Sequence, residues 1–90
     1  MMIRMKRVNP DINMDRYYSV ELTTGLFGDY GLERHWGRNG TRGRFRLDWF
    51  QSEREAESAI SILVKEKLNK GYIFKYSADS LIGHNSVIEP

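Results

Sequence analysis

The chain has no cysteine. That absence removes disulfides, thiolate-held zinc and cysteine nucleophiles together, and it suits a reducing, cytoplasmic setting. No stretch approaches the ~18–20 apolar residues of a membrane span. The start, Met1 to Arg7, carries charge without a following apolar region, so no signal peptide is expected. Histidine is scarce: His35 and His84 are the two present, and neither sits in a metal-ligand spacing. No serine lies in a G-x-S-x-G context. Glu53 and Glu57 stand one helical turn apart, a spacing at which solvated helix carboxylates are far commoner than an acid/base pair. The run from Gly37 to Arg44 is glycine-rich but lacks the Gly-Lys-Ser/Thr ending of a phosphate loop, and a strand rather than a helix follows it. With so few constellations to build on, the chain is expected to be non-catalytic, with no metal and no cofactor.

What is present is enough for one small domain. Ninety residues can bury a single core with a thin stability margin. Hydrophobic residues at 40% and charged residues at 29% belong to a folding chain rather than a disordered one. The formal net charge is only +2, but its distribution is uneven. Arg34, Arg38, Arg42, Arg44 and Arg46, with His35, fall in one segment free of Asp and Glu. Acidic residues gather at Asp48 and from Glu53 to Glu57. A basic segment on a nearly neutral chain points to an anionic partner, with a solvated loop as the plainer alternative.

Strand patterns fill the first half. Met1 to Val8 reads as a strand with Ile3, Met5 and Val8 as its apolar contacts, ended by Asn9-Pro10-Asp11. Asn9 to Arg16 reads as a polar loop. From Tyr17 to Thr24, Tyr18, Val20 and Leu22 alternate with polar residues, as a half-buried antiparallel strand requires. Tyr30 to Arg38 forms the next strand, with Tyr30, Leu32, Arg34, Trp36 and Arg38 on one side. After the Asn39-Gly40 turn, Arg44 to Phe50 is a further strand with Phe45, Leu47 and Trp49 sharing a face.

A helix signal follows. Ser52-Glu53-Arg54-Glu55 has the form of a capping box, in which Ser52 accepts an early N–H and Glu55 reaches back. Ala56, Ala59, Ile60, Leu63, Val64 and Lys67 recur at helical spacing up to the stop at Gly71. Tyr72 to Tyr76 is a last short strand. The fold expected is α+β: an antiparallel meander with one long helix on one face. Residues 1–76 form the domain, and residues 77–90 a C-terminal tail in which Leu81, Ile82, Val87 and Ile88 could pack.

The arginine-rich turn reads as a binding loop. Glycines let a backbone approach a ligand, arginine forks match phosphate oxygens, and Trp36 offers a flat face for a sugar or base. The alternative for Trp36 is core packing.

The order Arg16-Tyr17-Tyr18-Ser19-Val20-Glu21-Leu22, then Leu26-Phe27-Gly28-Asp29-Tyr30, then Trp36-Gly37-Arg38-Asn39-Gly40-Thr41-Arg42-Gly43-Arg44 resembles the WGR family. So do Glu55-Ala56, Leu63, Lys67 and Lys70-Gly71-Tyr72. The resemblance implies an antiparallel sheet with a helix on one face, and it is closest in kind to stand-alone bacterial WGR proteins. In DNA-damage-responsive poly(ADP-ribose) polymerases such a domain binds DNA near strand ends. There the motif tryptophan packs on the terminal sugar and the motif arginine couples DNA to neighbouring domains. By motif match these roles fall on Trp36 and Arg38. Asn39 departs from the apolar residue usual there, and with no catalytic or regulatory domain in this chain Arg38 has no relay to make in cis. The expectation is a nucleic-acid-binding module, for DNA before RNA, using Trp36, Arg38, Arg42, Arg44, Lys67 and Lys70. The alternative is a protein-interaction or self-association module, with Tyr17, Phe50 and Tyr76 lying outside the core and an edge strand open to pairing. A partner protein acting in trans is a third route.

Overall fold

The computed structural model describes residues 1–77. Of the tail expected from residue 77, Ser77 closes the last strand, and residues 78–90, with the four aliphatic residues, lie outside the described ones. The elements in order are β1 (Met2–Asn9), a 3-10 turn (Pro10–Ile12), β2 (Met14–Thr24), β3 (Tyr30–Arg38), β4 (Arg44–Phe50), α1 (Glu53–Asn69) and β5 (Ile73–Ser77). They form one five-stranded antiparallel sheet in the order β4-β3-β2-β1-β5, with α1 on one face. The first four strands are a meander. After β4 the chain crosses the sheet through α1, and β5 pairs with the free edge of β1.

Half of the loop expected from Asn9 to Arg16 is strand. β2 begins at Met14, and Met14, Asp15 and Arg16 pair with Asn9, Val8 and Arg7. The connection is tight because Asn9 caps the 3-10 turn through its side chain, and Asn13 takes a left-handed φ of 53°. Ladder pairing does not require alternating polarity, so nothing in the side chains marked these residues as strand.

The core is Met5, Tyr18, Val20, Leu32, Ala56, Ile60 and Tyr72, with Ile3, Leu22, Trp36, Phe50, Ala59, Leu63 and Val64 packed against it. The expected helix stripe is the one that faces the sheet. Two positions differ from expectation. Val8 is exposed, because it stands out of phase with Met5 on the other side of β1. Phe50, expected outside, packs on the core.

The register fixes the faces of β4. Trp36 opposes Arg44, Arg34 opposes Arg46 and Leu32 opposes Asp48, so the polar set of β4 is on the helix side. Phe45, Leu47 and Trp49 share the opposite face, where no element among the described residues packs over them. Trp49 lies over Gly31, where a Cβ would come within 3.0 Å of its ring.

Both helix ends follow local rules. The Ser52 hydroxyl accepts from the Glu55 N–H at 3.1 Å. The Glu55 carboxylate reaches back as expected, but to the N–H of Gln51, one residue before the cap, at 3.2 Å. At the other end Gly71 takes φ +96°, the Tyr72 N–H donates to the Lys67 carbonyl and the Gly71 N–H to the Leu68 carbonyl. This is the Schellman pattern, and it turns Tyr72 into the core beside Lys67. No helix among the described residues is long and apolar enough to cross a membrane.

Candidate functional site

Where α1 stops, it leaves the end of the sheet's helix-side face uncovered. Arg16 on β2, Arg38 and Trp36 on β3 and Arg44 on β4 alternate onto that face, since Arg16 opposes Arg38 and Trp36 opposes Arg44. Lys67 from the last turn of α1 and Tyr72 close the other side. Together with Gly37, Thr41 and Gly43 these residues line an open groove of about 580 Å³. Its lining holds Arg16, Arg38, Arg44 and Lys67 and no carboxylate.

Each cation is held differently. The Arg38 guanidinium donates to the Asn13 carbonyl at 2.9 Å and to the Asn13 side-chain oxygen at 3.2 Å. Both acceptors are neutral, so the group is oriented without an ion pair to a carboxylate among the described residues. Lys67 Nζ lies 4.6 Å from the centre of the Tyr18 ring and 5.2 Å from that of Tyr72, and the two rings meet edge-on at 6.4 Å. Burial, and then the charge of Lys70, lower the Lys67 pKa from its ordinary value of 10.5. Burial also raises the Tyr18 hydroxyl above the ordinary 10.0, an effect that Arg34 partly offsets. Arg16 and Arg44 are exposed.

The turn from Asn39 to Gly43 is anchored from β2. Tyr17 Oη donates to the Arg42 carbonyl at 2.8 Å and lies 3.3 Å from the Thr41 carbonyl. The Thr41 hydroxyl donates to the Arg38 carbonyl at 2.7 Å, and the Asn39 N–H to the Asp15 carbonyl at 2.8 Å. Gly43 has φ +69°, and a Cβ there would strike Tyr17 Oη and the Trp36 carbonyl oxygen. The glycines of this loop are thus placed by the turn and by close backbone approach.

Of the residues expected to bind, Trp36, Arg38, Arg44 and Lys67 come together in the groove. Arg42 in the turn and Lys70 at the helix cap are exposed outside its lining. Trp36 is half-buried: it packs on the core and also lines the groove. Arg16 and Tyr72 join the lining without having been singled out as binding residues. Arg34 and Arg46 are partly neutralised: both bind Asp48, at 3.0 and 3.1 Å. Burial alone would raise the Asp48 carboxyl, but the bonds and charges of Arg46 and Arg34 outweigh it and hold the group below the ordinary 3.8. The basic character of the segment is therefore concentrated at the groove end of the sheet. No cluster of His, Asp and Glu suited to a metal ion occurs among the described residues.

Comparison with known proteins bears on this arrangement. A family model described as WGR domain matches residues 1–79. The uncharacterised protein y4dW of Sinorhizobium fredii (strain NBRC 101917 / NGR234) is 38% identical over 68 residues, covering 76% of this chain and 33% of that protein. The chain thus spans about a third of the length of that relative.

Proposed function

The chain belongs to the WGR domain family, and we propose that it is a non-catalytic nucleic-acid-binding module that engages DNA ends or nicks through the groove at the helix C-terminus. The observation that carries this reading is the groove lining: four cations, a half-buried tryptophan and no carboxylate. Arg16, Arg38 and Arg44 supply forks for phosphate oxygens, and Lys67 adds a point charge held against two aromatic rings. Trp36 offers its exposed part to a terminal sugar or base, where an uninterrupted duplex has no free face to give. Arg42 and Lys70 extend the basic rim.

Fluorescence anisotropy tests the reading with labelled DNA carrying a nick or blunt end, against a closed duplex of equal length. Preference for the ended DNA, lost in Trp36→Ala with the fold intact by circular dichroism, supports it. Equal affinity for both DNAs, or equal loss on both, removes the end-stacking role. No binding at low salt removes the nucleic-acid reading altogether.

A further inference from the structure

The outer edge of β4 has no strand partner among the described residues. The opposite edge of the sheet is blunted: β5 is five residues long, and its ladder with β1 is irregular between Arg4 and Met5. β4 is seven residues long, contains no proline, and pairs with β3 in unbroken register. An edge of that kind is a template for another strand.

Its side chains say which strand. Read outward from Leu47, the middle five residues of β4 are self-complementary: Arg46 stands against Asp48 and Phe45 against Trp49, with Arg44 and Phe50 paired at the two ends. We propose that β4 is a self-recognition strand, and that two copies of this chain pair antiparallel along it, centred on Leu47, into a ten-stranded sheet. In this register the Arg46 of each copy opposes the Asp48 of the other on the helix side. On the open side, Leu47 meets its own copy between two Phe45–Trp49 pairs. Those three residues are 54%, 36% and 51% exposed in the single chain, so apolar surface is available to bury.

The neighbouring registers are disfavoured by the same pairing rules. Centring on Arg46 sets arginine against arginine, and centring on Asp48 sets carboxylate against carboxylate, each directly opposed. Centring between two residues turns the helix side of one copy onto the open side of the other, and opposes Phe45 or Trp49 to charged groups. Asp48 already binds Arg34 and Arg46 within its own chain. A partner's Arg46 joins that network instead of leaving a charge buried alone. Trp36 is on β3 and on the helix side, away from the seam, while Arg44, which lines the groove, stands at the end of the joined strands opposite the partner's Phe50. The inference does not rest on what the groove binds; Arg44 is the residue of β4 that the two surfaces share.

Sedimentation equilibrium of the full chain, up to ~300 µM to suit an interface at the small end of the size range, should show a reversible monomer–dimer equilibrium. Arg46→Asp and Asp48→Arg each place like charges opposite, and each should weaken the dimer roughly tenfold. Mixing the two variants restores opposite charges at both pairs and should return association to near the parent level. Because Asp48→Arg also disturbs Arg34, cysteine cross-linking supplies an independent arm in a chain that has no cysteine. Leu47→Cys should form a disulfide dimer on mild oxidation. Phe45→Cys and Trp49→Cys should cross-link with each other but not with themselves, since a residue two places from the centre lies ~13 Å from its own copy. A monomer at every concentration, a dimer indifferent to both charge reversals, or self-linking of Phe45→Cys equal to the mixed product would each overturn the proposal.

Discussion

Two glycines in one turn separate backbone strain from close approach. Gly40 and Gly43 both have positive φ, +87° and +69°. Alanine at either must adopt a left-handed conformation, at about 1–2 kcal/mol. Their surroundings differ. A Cβ on Gly40 would meet nothing within 4 Å, whereas one on Gly43 would run into Tyr17 Oη and the Trp36 carbonyl. Tyr17 can move, at the loss of its bonds to the turn, worth about 1 kcal/mol net; the carbonyl belongs to the β3 backbone and cannot easily do so. Overpacking of this kind adds about 1–3 kcal/mol. Gly40→Ala should therefore cost about 1–2 kcal/mol and Gly43→Ala about 2–5 kcal/mol. Urea unfolding of both variants, read at a common slope, measures the difference. The same pair assayed for DNA binding should show Gly43→Ala impaired and Gly40→Ala close to the parent, because only Gly43 adjoins Trp36. Equal destabilisation would refute the claim that contact between the turn and β2–β3, beyond φ alone, requires glycine at position 43.

Other expectations follow from particular contacts. Ser52→Ala removes the helix cap bonded to the Glu55 N–H and should cost about 1 kcal/mol, or a Tm fall of roughly 4–8 °C by thermal melting; an unchanged melt contradicts the cap. The Asp48 carboxyl is held below 3.8 in the folded chain, so its stabilisation is complete above that pH and is lost as pH falls through the lowered value. Asp48→Asn should accordingly be less stable at neutral pH yet show a flatter decline below pH ~4, and parallel acid-unfolding curves would count against it. Lys67, with its pKa lowered from 10.5, loses its charge earlier on the alkaline side than a free lysine. DNA affinity should fall as pH rises toward that value in the parent, and less in Lys67→Arg, which stays charged; identical profiles would detach Lys67 from binding.

The helix was legible in the sequence because its signals are local. Ser52 and Glu55 mark its start, the spacing from Ala56 to Lys67 marks its buried side, and Gly71 marks its end. Strand alternation was legible too, but it tells which residues share a face and leaves open which face is covered. Phe45, Leu47 and Trp49 are the apolar set of β4 and still point away from the helix, because the turn through Gly43 sets Arg44 opposite Trp36. Arg16 could not be found by local reading: it reaches the groove only through its register against Arg38. Arg34 and Arg46 counted toward a basic segment, yet Asp48, just beyond that segment, binds both. Arg38, expected as a binding residue, also ties the end of β3 to the loop before β2 through its bonds to Asn13.

The central claim is that the groove neutralises phosphates, and the salt dependence of binding to nicked DNA tests it most directly. If Arg16, Arg38, Arg44 and Lys67 each meet a phosphate, the log–log slope should be about −3.6, a loss of roughly 150-fold between ~50 and ~200 mM salt. Arg16→Ala should reduce the slope by ~0.9 in magnitude. A slope near zero, or one that Arg16→Ala leaves untouched, would contradict the account.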